Sequence, residues 1–133
     1  MSQSARILLV FAGLSLSAAT GLGAYASHGA AQALDPRSLE SLRTAIEYEF
    51  YNSLGLLGVA LLVERYARAA LLHIAGYVIL AGTVVFCGAV YARVFGAPAA
   101  VGHAAPFGGS GLIVGWLVFA IAIWRCTRRG AAH

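Results

Sequence analysis

This sequence predicts an all-α, polytopic membrane protein with four transmembrane helices, and three observations carry that prediction. First, its 133 residues are 60% hydrophobic and only 11% charged, and the mean hydropathy is +0.80. A soluble domain carries roughly 25% charged residues, so a soluble enzyme is excluded. A disordered chain, which is polar and rich in charge, is excluded with it. Second, the apolar residues gather into four runs: residues 7–26, 45–63, 69–92 and 107–124. A helix needs about 20 apolar residues to cross the hydrocarbon core, with a range of about 17–25. In lipid every backbone group must be satisfied within the span or in a closed barrel, and runs of this length specify helices. Third, the basic residues are all arginines and they flank the runs.

The first run, residues 7–26, contains no charge. With Arg6 before it and Ala24-Tyr25-Ala26 at its end it has the outline of a signal peptide, but the apolar stretch is long for one, and the segment is read as a retained span. The second run has the most informative beginning. Asp35-Pro36 is a strong helix start, because Asp accepts from unpaired N–H groups and Pro fits the first turn. A helix from residue 36 to 64 would be about 43 Å long, longer than the hydrocarbon core. Its first turns are amphipathic: Leu39, Leu42, Ile46, Phe50 and Ser53 share one face, and Arg37, Glu40, Thr44, Glu47 and Tyr51 lie opposite. That pattern suits an interfacial lead-in to the membrane. The third and fourth runs carry no formal charge. Between them, residues 93–106 are rich in Ala, Gly and Pro, an apolar loop suited to the headgroup region. No segment between the runs is long enough to fold alone, so residues 1–133 form a single four-helix transmembrane domain.

Orientation follows from the arginines. Arg6, Arg65, Arg68, Arg125, Arg128 and Arg129 fall on one side, and Arg37, Arg43 and Arg93 on the other. The excess marks the cytoplasmic side, which predicts an inner-membrane, multi-pass protein with both termini in the cytoplasm. The arginines form no stripe, so nucleic acid is not an expected partner. The expected partners are membrane lipid and either a larger membrane complex or further copies of the chain.

Chemistry-bearing residues concentrate in the outer half of the second span. Arg43 and Glu47, four apart, can pair on one helical face. Glu49, Asn52 and Ser53 lie on another flank within reach of one another. With His28, the residues Arg43, Glu47, Glu49 and Asn52 make a possible functional polar cluster, readable as a proton or ligand site. The structural alternative is that the acids pair with Arg43 or His28 and fix helix register, and intramembrane acids face the bundle interior in either case. His28, His103 and a glutamate have the chemistry of metal ligands, but nothing in their spacing demands a metal. His73 is expected at the inner interface, and His133 carries no role. Ser15, Ser17, Thr20 and Thr83 lie inside spans and can bond back to carbonyls. Cys87 and Cys126 fit no metal or redox spacing and should lie about 30 Å apart across the membrane, too far for a disulfide. No nucleophile constellation is present, so no catalytic residue, cofactor or metal is assigned. Helix packing is expected from small residues that let backbones approach in lipid: Gly13, Ser17 and Gly21 in the first span, and Gly111 and Gly115 in the fourth.

The runs Gly23-Ala24-Tyr25-Ala26-Ser27-His28-Gly29, Leu34-Asp35-Pro36 and Thr44-Ala45-Ile46-Glu47-Tyr48-Glu49-Phe50-Tyr51, with Pro106-Phe107-Gly108-Gly109 and Gly115-Trp116 further on, resemble the YgdD-like family of small four-span membrane proteins. The resemblance covers nearly the whole chain. It implies an integral membrane protein, with bacterial members taken to be in the inner membrane and relatives in mitochondria, and it implies no reaction. The sequence departs from the family at Asn52, where His is common, at Glu49, where Gln is common, and at His103, where Pro is expected. These readings leave two functions in contention: a non-enzymatic accessory or structural membrane subunit, and a small proton-coupled transporter or permeation protein using Glu47 and Glu49. A lipid-active enzyme using His28 and Glu47 as acid and base ranks below both.

Overall fold

The computed structural model describes residues 1–130, with side chains through Arg128. Arg129's side chain and His133 lie outside the described residues. Four long helices cross one another: α1 (Gln3–His28), α3 (Pro36–Arg65), α4 (Ala70–Val94) and α6 (Ala105–Gly130). Two one-turn helices, α2 (Ala30–Ala33) and α5 (Ala99–Gly102), occupy the connections at one end. All four long helices have the length and apolar composition to cross a membrane, and no strand occurs among the described residues. The chain is an integral membrane protein by this architecture.

Local chemistry sets the helix boundaries. Ser2 caps α1, its hydroxyl accepting from the Ala5 N–H. Asp35 caps α3, its carboxylate accepting from the backbone N–H groups of Arg37 and Ser38 at 3.1 Å and from the Ser38 hydroxyl at 2.6 Å, with Pro36 in the first turn. From there α3 runs for 30 residues without interruption, so the amphipathic lead-in and the span are one rod. Glu64, near its far end, accepts from the Ser2 backbone N–H at 2.7 Å and lies 3.7 Å from the Met1 amino group. The start of α1 is thereby tied to the end of α3. Gly96, at φ +100°, turns the chain out of α4, a conformation that suits a residue without Cβ.

The helices pack in the order α1–α3–α4–α6, with α3 and α4 central and α1 and α6 on opposite flanks. The main core joins Leu8 and Ala12 of α1, Leu56, Val59 and Val63 of α3, Leu72 and Ile79 of α4, and Leu112 and Ala122 of α6. A second cluster around Ala19, Ala26, Leu42 and Ile46 closes the end near α2.

Glycine governs the α4–α6 crossing. A Cβ at Gly108 would collide with the Phe86 backbone, one at Gly82 would come 3.0 Å from the Leu112 nitrogen, and one at Gly115 would come 2.7 Å from the Ile79 side chain. Gly111 faces the Gly82 Cα at 3.7 Å. The small residues of the first span differ from expectation. Nothing lies within 4 Å of a Cβ built on Gly13 or Gly21, and Gly13, Ser17 and Gly21 are all exposed. The α1 face that packs within the bundle carries Ala5, Leu8, Ala12, Ser15 and Ala19 instead. Four-residue spacing identifies a thin face of a helix; it does not say which face the neighbouring helices take.

Candidate functional site

The polar groups of the bundle interior converge on a short stretch of α3. Glu49 is only 7% exposed. Its Oε1 accepts from the Ser15 hydroxyl of α1 at 2.7 Å, and its Oε2 accepts from the Tyr91 hydroxyl of α4 at 2.5 Å. One carboxylate therefore joins three helices. On the neighbouring turn, buried Asn52 donates through Nδ2 to the Tyr48 carbonyl at 2.7 Å and accepts through Oδ1 from the Trp116 indole N–H of α6 at 2.9 Å. A glycine makes room for that indole, since a Cβ on Gly55 would overlap the Trp116 ring. The Cys87 thiol points at the Ala45 carbonyl at 3.5 Å. Together these contacts form a polar belt that joins the other three long helices, α1, α4 and α6, to α3. Ser53, fully buried, carries the one buried side-chain oxygen among the described residues that lacks a hydrogen-bond partner.

Of the residues expected to cluster, the structure brings Glu49 and Asn52 into the interior and leaves His28, Arg43 and Glu47 exposed. Arg43 and Glu47 do not form an ion pair; the one such contact among the described residues joins the Met1 amino group to Glu64. Glu49 pairs with neither Arg43 nor His28. Its hydroxyl partners satisfy it without a buried cation, which would itself require desolvation. Glu49 and Asn52 share a flank yet turn apart, one toward α1 and α4 and the other toward α6. Glu47 and Glu49, two residues apart on a helix, point to opposite sides and cannot share a site. His28 and His103 are exposed, and no group of three or more potential metal ligands gathers among the described residues. His73 bonds the Ala67 carbonyl at 3.0 Å, at the turn between α3 and α4. Thr20 and Thr83 bond back to the carbonyls of Leu16 and Ile79. Ser15 spends its hydroxyl on Glu49 instead.

Sequence reasoning missed Tyr91 and Trp116 as members of the belt. Each is an amphipathic aromatic whose polar tip usually finds a partner when buried, and that was the available signal. Chemically, the belt is a set of satisfied hydrogen bonds between helices. Both Glu49 oxygens are engaged by hydroxyl donors, and the Cys87 thiol is the one sulfur in the belt, directed at a backbone carbonyl.

The fold and the belt define a small four-span integral membrane protein whose buried acid cross-links its helices. Residues 22–109 match the family model described as "Protein of unknown function (DUF423)", and the chain belongs to that family. It is 28% identical over 132 residues to the UPF0382 inner membrane protein YgdD of Escherichia coli strain K12, covering 98% of this chain and 99% of that protein. It is 27% identical to the UPF0382 membrane protein YwdK of Bacillus subtilis over 88% of this chain and 95% of that one. A UPF0382 membrane protein of Haemophilus influenzae is 32% identical over 74% of this chain and 78% of its own length. No solved structure matches.

Proposed function

We propose that the protein is a non-enzymatic accessory or structural subunit of the inner membrane, with both termini in the cytoplasm. The observation that carries this reading is the engagement of Glu49 by Ser15 and Tyr91. The buried acid is consumed in holding helices together. The outward face of Gly13, Ser17 and Gly21 is then the natural seat for a further transmembrane helix, from another subunit or a second copy, because small residues let helix backbones approach in lipid. The inner-membrane placement draws on the name of the Escherichia coli relative, and the orientation on the arginine excess beside the termini.

The test is purification of the full chain in mild detergent, with mass determination of the particle. A stable oligomer or co-purifying membrane protein that is lost in Gly21→Leu is the expected result. A strictly monomeric particle without any companion refutes the reading. Reagents applied to sealed cells and to inverted vesicles fix the orientation: a C-terminal tag cleavable only in inverted vesicles is expected. Proton-coupled transport by Glu47 and Glu49 has no comparable support, because the two side chains do not face a common space.

A further inference from the structure

Three cavities run end to end along the flank where α3, α4 and α6 meet. The first, at the Asp35 end, has a volume of about 560 Å³ and is lined by Arg37, Ser41, Val90 and Arg93 among others. The second, of about 310 Å³, shares Ser41 and Val90 with the first and adds Glu40, Thr44 and Phe86. The third, of about 710 Å³, shares Thr44 and Phe86 with the second and continues to Leu112, Ile113, Trp116 and Leu117. Because each cavity shares walls with the next, they form one furrow.

Its chemistry changes along its length. At the Asp35 end lie two guanidiniums, Arg37 and Arg93, and the carboxylate of Asp35, with the Glu40 carboxylate at the adjoining neck. Arg93 spends one N–H on the Ala97 carbonyl and keeps the rest of its fork. The neck carries the hydroxyls of Ser41 and Thr44. The far end is apolar and aromatic, lined by Trp116 and by Tyr48 and Phe86, whose rings lie 5.3 Å apart and tilted to one another. From Arg37 to Asn52, which is level with Trp116, α3 rises about 22 Å at 1.5 Å per residue. A bilayer is about 40–45 Å thick with its headgroups, so one leaflet is about 20–22 Å. The furrow has the length of one leaflet, charges at the headgroup end and an apolar floor at hydrocarbon depth.

We propose that this furrow seats a single zwitterionic phospholipid molecule, with its phosphate at Arg37 and Arg93, its ammonium at Asp35 and Glu40, and an acyl chain along Phe86, Leu112 and Trp116. Two charges of each sign suit a head of separated but balanced charge, where phosphate alone would leave the carboxylates opposed to it. A transmembrane helix would present apolar surface along the whole length and leave the charged end unmatched.

The chain contains two tryptophans, so Trp124→Phe leaves Trp116 as the sole reporter. The full chain in detergent is titrated with phosphatidylethanolamine brominated on its acyl chains. Saturable quenching of Trp116 at one lipid per protein is expected, weakened about tenfold or more in Arg37→Gln/Arg93→Gln and about tenfold or more for brominated phosphatidylglycerol. Gly109→Leu fills the apolar end from a position where a Cβ meets only Phe86, at 3.8 Å; it should abolish quenching while the lipid-free emission spectrum stays unchanged. Inorganic phosphate should not compete. Quenching that never saturates, or is indifferent to the arginines, reports bulk lipid around the bundle and overturns the proposal. Equal binding of phosphatidylglycerol, or displacement by inorganic phosphate, overturns the zwitterionic, two-part seat.

Discussion

Gly55 of α3 and Trp116 of α6 are complementary in space: the indole occupies the volume that any side chain at position 55 would fill. The same indole donates to Asn52 one turn earlier. A single glycine thus determines whether α6 can reach the polar belt.

Gly55→Ala should therefore displace the ring and break the bond to Asn52. Overpacking costs typically about 1–3 kcal/mol, and that loss is expected in detergent unfolding, with a shift of Trp116 emission in the Trp124→Phe background. Gly58→Ala is the control. Nothing lies within 4 Å of its Cβ, so its effect should stay within about 0.5 kcal/mol.

The Glu49 cross-link gives a second prediction. Interhelical hydrogen bonds in membranes average about 0.6 kcal/mol, with an upper end of about 1.7 kcal/mol. Ser15→Ala and Tyr91→Phe should each cost an amount in that range. Glu49→Leu should cost more than either, because it strands the buried Ser15 hydroxyl and the half-buried Tyr91 hydroxyl at once. Double-mutant cycles between position 49 and each partner are the measurement; zero coupling in both cycles would show that the belt does not hold the helices.

Glycines on the two flanks should behave in opposite ways. Gly108→Val drives a side chain into the Phe86 backbone and should separate α4 from α6, lowering the unfolding midpoint sharply. Gly13→Ala and Gly21→Ala should leave the stability of the isolated chain almost unchanged. Thermal melts of the three variants in one detergent decide the matter.

Acid should weaken the start of α3. The carboxyl of Asp35 is held below the usual carboxylate range, first by the Ser38 hydroxyl and then by the Ser38 backbone N–H. An unfolded Asp titrates near about pH 3.9. Because the folded value lies below that, this contribution is complete above about pH 4 and is lost as pH falls through the folded value. The melting temperature of the wild type should fall toward that of Asp35→Asn as pH drops below about 4. Ser38→Ala should lessen the acid sensitivity. A constant gap between wild type and Asp35→Asn down to about pH 2 would contradict this account.

Much of the fold was legible because lipid imposes a simple length rule. Runs of apolar residues marked α1, α3, α4 and α6, and Asp35-Pro36 marked where α3 begins. The facing of each helix was less legible. Leu42, Ile46 and Ser53 turned inward as the amphipathic pattern of α3 implied. The spans in α1 and α4 are apolar all round, so periodicity could not distinguish the Ser15 face from the Gly13 face. The candidate site was half readable for the same reason. Glu49 and Asn52 stood out as polar residues in an apolar run. Their partners, Ser15, Tyr91 and Trp116, come from helices whose rotation only packing fixes. Gly82 and Gly108 escaped notice because their role depends on the crossing of α4 and α6, which local sequence does not encode.

The two thiols occupy unlike surroundings. Cys87 is enclosed against the Ala45 carbonyl, and Cys126 is half-buried beside Arg68 and Ala69. A maleimide that reacts only with accessible sulfur should modify the native chain at one position, in the last turns of α6. The unaltered protein thus carries its own attachment point for a fluorophore or spin probe, and distances measured from it would report how the bundle sits among its neighbours without any residue being replaced.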